Sequence, residues 1–198
     1  MIGCSRLLAC MVFALALGPA LIANAIAGPV DMMPINAMDR AAFVVKFGGI
    51  FEKSPWVAEE AWERRPFASP DEMHAAMVAV AKTAPATRQL ALLQAHPDLA
   101  GKEAQAGTMT ASSVAEQAGA GLNALPPPEF AELSNLNAAY KAKFGFPFII
   151  CVRRHDKRSI LAAFGRRLAR DEDAERDQAL NEIGEIVRLR LADLIEDA

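Results

Sequence analysis

Apolar residues recur every three or four positions along most of this chain, the spacing that places them on one face of an α-helix. The first clear run contains Phe43 and Phe47. Asp39 stands where a helix N-cap is expected, and Gly48 stands where the run stops. The pattern therefore predicts a helix that begins near Met38 and ends near Gly48.

Start and stop signals divide the next part of the chain into further helices. A short helical stretch is predicted over 54–65, before a proline. Ser69 is followed by proline at the first helical position and by Glu72 three residues later, a strong signal for a helix start. Another helix is predicted over 86–95, and Pro97 ends it at His96.

The second half of the chain has the same character. Four more helices are predicted, at about 113–122, 129–144, 158–170 and 173–196, with Gly145 ending the second of them. The polar, glycine-containing stretch 97–111 is expected to be an exposed connection, and residues 146–152 to be extended and buried. These elements predict an all-α, single-domain bundle of seven or eight helices.

The first 32 residues differ from the rest. Arg6 is the only charged residue before Asp31, and a long apolar run is followed by small residues at cleavage spacing, which is typical of a signal peptide. Gly18-Pro19 interrupts the run, so no stable membrane anchor is expected. A wrongly assigned upstream start is the alternative. The protein is then cytoplasmic if translation starts near Met33, and periplasmic or secreted if the leader is genuine.

Composition excludes several function classes. The chain has 198 residues, 53% of them apolar, which suits one domain with a sizeable core. Its formal charge is only −3 and its basic residues form no stripe, so nucleic acid is not an expected partner. Cys151 is the only cysteine of the body, and the common metal, nucleotide and redox motifs are missing. No cofactor or metal is expected, and side chains must carry any catalysis.

Among the three histidines, His96 is best placed for chemistry, at a helix end beside a proline and a glycine-containing loop. His74 within a helix and His155 in a charged turn are expected to be solvated. Asp98 and Glu116 are the carboxylates that could orient His96.

Ser113 and Glu116 have the spacing of a capping box, and spacing alone favours that structural interpretation over a catalytic one. Gln117 serves no helix-forming purpose and could bind a polar ligand. The segment Phe146–Ile150 is best explained as core, although its backbone groups need partners outside a helix. An arginine near the C-terminus could turn inward towards a carboxylate.

Three segments together resemble a known family, the 2-oxo-4-hydroxy-4-carboxy-5-ureidoimidazoline (OHCU) decarboxylases. They are His96-Pro97-Asp98-Leu99-Ala100-Gly101, then Ser113-x-x-Glu116-Gln117, then Phe144-Gly145-Phe146-Pro147-Phe148. The resemblance runs from about Met33 to Leu189-Arg190-Leu191 and includes none of the leader. Similar proteins commonly begin near the position of Met33, which favours the late start.

The resemblance implies an all-α homodimer without metal or organic cofactor that converts the ureidoimidazoline to (S)-allantoin in urate degradation. It implies His96 as proton donor, assisted by Glu116. An arginine is also implied, with Arg190 favoured over Arg188 and Arg167. The implied substrate-binding residues are Pro97, Ser113, Val114, Ala115, Glu116, Gln117, Phe146, Pro147, Phe148, Ile149 and Ile150.

Two alternatives belong to other classes. The leader would suit an exported helical protein that binds a small ligand without catalysis. A hydrolase acting one step earlier in the same degradation is β-rich, so a strand-dominated fold would favour it.

Overall fold

A computed structural model describes residues 30–101, 104 and 106–196. The predicted leader, residues 1–32, therefore lies outside the described residues except for its last three. The described part forms nine α-helices and no strand: α1 Met33–Asn36, α2 Arg40–Phe47, α3 Trp56–Trp62, α4 Pro70–Thr83, α5 Ala86–Gln94, α6 Ala111–Gly119, α7 Pro127–Phe144, α8 Lys157–Leu168 and α9 Glu172–Glu196. A 3₁₀ turn, Val152–Arg154, precedes α8.

The all-α prediction is confirmed. Seven or eight helices were predicted, and the described residues form nine. Eight helices have seven residues or more, and the four-residue α1 is the addition. The absence of strands from the described ranges removes the support for a β-rich hydrolase.

Local signals in the sequence place the helix ends correctly in several cases. The Asp39 side chain accepts a hydrogen bond from the Ala42 N–H at 2.8 Å, and Ser69 accepts one from the Glu72 N–H at 3.2 Å. Such caps stabilise a helix by about 1 kcal/mol each. Gly145 ends α7 with φ of 76°, a left-handed conformation that other residues rarely adopt.

The long C-terminal helix α9 organises the packing. It contacts α4 and α7, while α4 also contacts α3, α3 contacts α2, and α7 contacts α8. The largest fully buried side chains are mostly aromatic and methionine residues: Tyr140, Phe43, Phe47, Phe51, Phe67, Phe148, Phe164, Met73 and Met77. A single core cluster includes residues from Met32 to Ile195 of the part of the chain that the structure describes.

The segment between α7 and the 3₁₀ turn is buried and lies outside any helix, as predicted. Within it, the Phe148 ring stacks on Phe164 with centroids 3.7 Å apart. The connection after α5 differs from its prediction as an exposed stretch, because Leu99 and Ala100 are buried at its start.

The expectation of a solvated His74 is wrong. Its ring is buried, and Nε2 lies 2.8 Å from the Gly184 carbonyl oxygen of α9. The helix therefore turns this histidine inward as part of the α4 and α9 contact. None of the described helices has the length and apolar composition that a membrane span requires.

Candidate active site

A narrow cleft lies between the end of α5, the start of α6, the extended segment and the middle of α9. Its free interior is about 30 Å³, room for about one water molecule. It adjoins a wider groove of about 810 Å³, and Glu116, Val152 and Arg190 line both. The residues that line the cleft are His96, Pro97, Leu99, Ser113, Glu116, Gln117, Phe148, Ile149, Ile150, Val152, Ile186 and Arg190.

The cleft gathers most of the residues predicted for the site, although they come from distant parts of the chain. Four of the predicted residues do not line it. Ala115 lines the adjoining groove, and Val114 is a half-exposed side chain on α6. Phe146 packs against Tyr140, with ring centroids 5.9 Å apart. Pro147 is buried beside Phe146.

His96 is buried in the cleft wall. Its Nδ1 lies 3.0 Å from the carbonyl oxygen of Leu92, one turn earlier in α5. Burial lowers the pKa of His96 from 6.5 to about 4, partly opposed by the Leu92 hydrogen bond and by the charge of Glu52, while Arg190 lowers it further. In the free protein the imidazole is therefore neutral near pH 7.

The sequence offered Glu116 as a carboxylate that could orient His96. In the structure, Glu116 pairs with Arg190 instead. The Arg190 Nε and Nη2 atoms donate to the two Glu116 carboxylate oxygens, each at 2.7 Å. This two-point geometry is the strong form of an arginine–carboxylate pair. The backbone carbonyl of Leu92, and not Glu116, fixes the His96 ring.

The capping-box prediction for Ser113 and Glu116 is also wrong. The N-cap of α6 is Thr110, whose side chain accepts from the Ser113 N–H at 3.4 Å. The Ser113 hydroxyl instead accepts a hydrogen bond from Arg190 Nη2 at 3.2 Å. Beginning the helix three residues earlier frees both side chains for tertiary contacts.

Sequence reasoning missed Glu52, which lies in the turn between α2 and α3 and is only 1% exposed. Its Oε2 accepts from Thr110 Oγ1 at 3.0 Å, Ser113 Oγ at 2.9 Å and Arg190 Nη1 at 3.3 Å. No motif marks this residue, because a glutamate between Phe51 and Lys53 looks like an ordinary surface turn.

Gln117 holds the loop that follows His96. Its side-chain oxygen accepts from the Ala100 N–H at 2.8 Å, and its nitrogen donates to the Asp98 carbonyl at 3.2 Å. Asn137 of α7 adds a hydrogen bond to the Leu99 carbonyl at 2.9 Å. These side chains fix the backbone beside His96 even though the loop has no regular structure.

Of the three candidate arginines, only Arg190 lines the cleft. Arg188 is exposed and pairs with Asp71 at 2.7 Å. Arg167 is buried elsewhere, where Nε donates to Glu175 at 2.6 Å. The arginine of α9 that points inward is therefore Arg190, and it forms ion pairs with Glu116 and Glu52.

The arrangement combines a titratable imidazole, a fixed guanidinium and two carboxylates against an apolar wall. Such a site can bind a small polar molecule and exchange a proton with it, since an imidazole can both accept and donate a proton. Phe148 and Ile149 are apolar residues in the lining of the cleft and limit access of water.

Comparison with known proteins identifies the family of this chain. The family model described as OHCU decarboxylase matches residues 36–192. The chain is 39% identical over 166 residues to the OHCU decarboxylase of Amia calva, covering 84% of this chain and 95% of that protein. It is 42% identical over 162 residues to that of Haloferax volcanii, covering 82% and 94%.

A crystal structure of (S)-allantoin synthase has a similar fold, with a TM-score of 0.66 and 28% sequence identity over 83% of this chain. This chain covers 54% of that longer chain. With the family model matching most of the described residues and relatives near 40% identity along nearly their whole length, the chain belongs to the OHCU decarboxylase family.

Proposed function

We propose that this chain decarboxylates 2-oxo-4-hydroxy-4-carboxy-5-ureidoimidazoline to (S)-allantoin in urate degradation, with His96 as the proton donor. Membership of the family supports the decarboxylation. The observation that carries the site assignment is the meeting of His96, Glu116 and Arg190 in one cleft.

The reaction consumes one proton, and a single enantiomer forms only if this proton reaches one face of the imidazoline ring of the substrate. When carbon dioxide leaves, its bonding electrons pass into the neighbouring imine of the ring. The carbon that bears the ureido group then takes up a proton while the hydroxyl becomes a carbonyl. Overall, the anionic substrate plus one proton gives allantoin and carbon dioxide. A proton donor fixed on one side of the ring therefore determines the handedness of the product.

His96 is placed to deliver that proton once the substrate is bound. Its pKa of about 4 leaves it neutral in the free protein at pH 7. A substrate carboxylate in the cleft would raise this pKa, because a nearby negative charge favours the imidazolium. Binding therefore draws in the proton that the reaction consumes.

Arg190 and Glu116 define the polar wall of the site. Their two-point pair holds the guanidinium rigidly at the edge of the cleft, and the other Arg190 N–H groups donate to Ser113, Glu52 and the Ile50 carbonyl. The substrate is larger than the free volume of the narrow cleft, so it extends into the adjoining groove past this pair. Phe148 and Ile150 face the ring from the apolar side and exclude water.

The decisive experiment adds residues 33–198 to freshly generated urate oxidation products, with the preceding hydrolase present, and follows the circular dichroism of allantoin. Rapid appearance of the (S) enantiomer is expected. Racemic product at the spontaneous rate, from a protein shown to be folded, would refute the proposal and favour a binding protein.

The variant His96→Ala tests the proton donor. We expect at least about a 100-fold loss of the stereospecific rate, the usual contribution of a positioned acid or base. His74→Gln is the matched control, since His74 packs between α4 and α9 and lines neither the cleft nor the groove. Full activity of His96→Ala would overturn the mechanism.

We further propose that the protein is a homodimer, as its family resemblance implies. Val45 and Leu194 support this, because these exposed apolar side chains line the same groove, and neighbouring exposed apolar residues are typical of an interface. Sedimentation equilibrium at micromolar concentration would give a mass of twice the monomer. A monomer at all concentrations would exclude it.

We also propose that residues 33–198 form the catalytic domain and that the leader takes no part in catalysis. The family match over 36–192 supports this. Mass spectrometry of the full-length protein recovered from cells tests the leader itself. A mature N-terminus near residue 28 indicates export, whereas a start near Met33 indicates a cytoplasmic protein.

A further inference from the structure

Glu52 lies behind the cleft wall and does not line the cleft itself. Its Oε2 accepts three hydrogen bonds, of which two come from Ser113 and Arg190, and both of these residues line the cleft. Its other oxygen, Oε1, has no hydrogen-bond partner among the described residues. Burying a carboxylate with one unpartnered oxygen costs folding free energy, which the three hydrogen bonds to the other oxygen offset only in part.

Arg190, Glu52 and Glu116 form a buried cluster beside the cleft, and the charges of these three side chains do not balance. Arg190 supplies one positive charge, while Glu52 and Glu116 supply one negative charge each, and all three side chains are at most 11% exposed. One negative charge is therefore left over beside His96. A proton on His96 would neutralise the cluster.

Other charged groups near His96 do not remove this excess. Asp98, which follows in the same loop, is paired with Lys141 of α7 at 2.6 Å. Glu116 of α6 is already matched by Arg190 of α9. Glu52, from the turn between α2 and α3, is thus the source of the unmatched charge.

We propose that Glu52 is a positioning residue that holds Arg190 and Ser113 in the cleft wall and supplies the negative charge that allows His96 to take up a proton. This inference rests on the proposed function for its effect on rate, and on the cluster alone for its effect on His96. Glu52 acts through its neighbours and does not touch the substrate. Its attraction for the imidazolium opposes the cost of burying that charge.

The test compares Glu52→Gln with the wild-type protein. Glutamine keeps the shape and one acceptor oxygen but removes the charge. The NMR pKa of His96 in the free protein should fall by about half a unit or more. In the enzyme assay, kcat at pH 7 should fall by about 10-fold, and the pH dependence of kcat should move to lower pH. Glu60→Gln, which removes the charge of an exposed ion pair with Arg88, is the matched control and should change neither quantity.

The conservative variant Glu52→Asp keeps the test decisive if glutamine prevents folding. It retains the charge, so the His96 pKa should stay near the wild-type value while kcat falls because Arg190 is less well held. A folded Glu52→Gln protein with an unchanged His96 pKa and unchanged pH profile would overturn the proposal. If the wild-type protein lacks decarboxylase activity, the NMR measurement still decides the role of Glu52.

Discussion

Two buried arginines with almost the same exposure behave differently in this protein. Arg190 is 6% exposed and binds two carboxylates at the edge of a cleft. Arg167 is 5% exposed and lies within the core, where it donates to Glu175 at 2.6 Å and to the Ile149 carbonyl at 2.7 Å. Its guanidinium also lies 4.5 Å from the centre of the Phe148 ring.

The difference lies in what surrounds each charge. Arg167 lies within ion-pair distance of Glu175 and Glu182, and Arg170 also faces Glu175, so two positive charges balance two negative ones. Tyr140 donates its hydroxyl hydrogen bond to Glu175. Burial and this glutamate raise the pKa of Tyr140 above its ordinary value, so it stays a donor. This Arg167 cluster, formed by Arg167, Glu175 and Tyr140, holds the extended segment through the hydrogen bond from Arg167 to the Ile149 carbonyl.

The cleft cluster of Arg190, Glu52 and Glu116 keeps an unmatched charge beside a titratable histidine. Buried ion pairs alone therefore do not mark an active site. The unmatched charge beside a titratable histidine is what favours the cleft as the candidate site.

The largest expected effect comes from breaking the Arg167 cluster. Arg167→Met leaves Glu175 buried at 0% exposure without its partner, which should lower the free energy of unfolding by about 4 kcal/mol. Urea denaturation followed by circular dichroism measures it. Replacing both partners, Arg167→Met with Glu175→Leu, should restore much of the stability.

Arg188→Met provides the matched control for that change. Arg188 forms an exposed pair with Asp71, so its loss should change the stability by less than about 0.5 kcal/mol. Equal losses for Arg167→Met and Arg188→Met would show that the core cluster has no special structural role.

A somewhat smaller effect is expected from the protonation of His96. Its folded-state pKa of about 4 lies below the unfolded value near 6.5, so its contribution to stability is present above pH 6.5 and is lost as the pH falls towards 4. Between pH 7 and pH 4 the wild-type protein should lose about 3 kcal/mol more than His96→Gln, which cannot titrate there. Parallel stability curves for the two proteins would contradict the burial of a neutral His96.

The third effect falls on rate and hardly on stability. Glu116→Gln weakens the two-point pair but leaves Arg190 matched by Glu52, so the free energy of unfolding should change by only about 1 kcal/mol. The stereospecific rate should fall by about 100-fold because the polar wall is no longer fixed. Steady-state kinetics and urea denaturation on one preparation separate the two quantities. A large loss of stability in Glu116→Gln with a normal rate would show that the cleft cluster serves stability and not catalysis.

The sequence predicted the helices well because their signals are local. Asp39 and Ser69 cap the helices they were expected to cap, and Gly145 ends α7. Each of these signals depends on residues within one turn of the helix end. The same reasoning failed at α6, where Thr110 and Ser113 are both acceptable caps and only the folded chain selects Thr110.

The candidate site shows the same division. The resemblance named His96, Glu116 and Arg190, and the structure brings them to one cleft. It did not reveal that Glu116 pairs with Arg190, 74 positions away, or that Leu92 holds the His96 ring. Glu52 had no local signal at all, because its partners are a threonine, a serine and an arginine 58 to 138 positions away.

The sequence by itself therefore determined the helical class, most helix ends, the family and the residues that could carry chemistry. Those features follow from hydrophobic periodicity, backbone caps and the order of short segments. Only the tertiary structure decided which carboxylate meets which cation, which histidine is buried beside an unmatched charge, and which arginine serves the core. Pairing and desolvation depend on distances between side chains far apart in sequence, and these distances are fixed only when the helices pack.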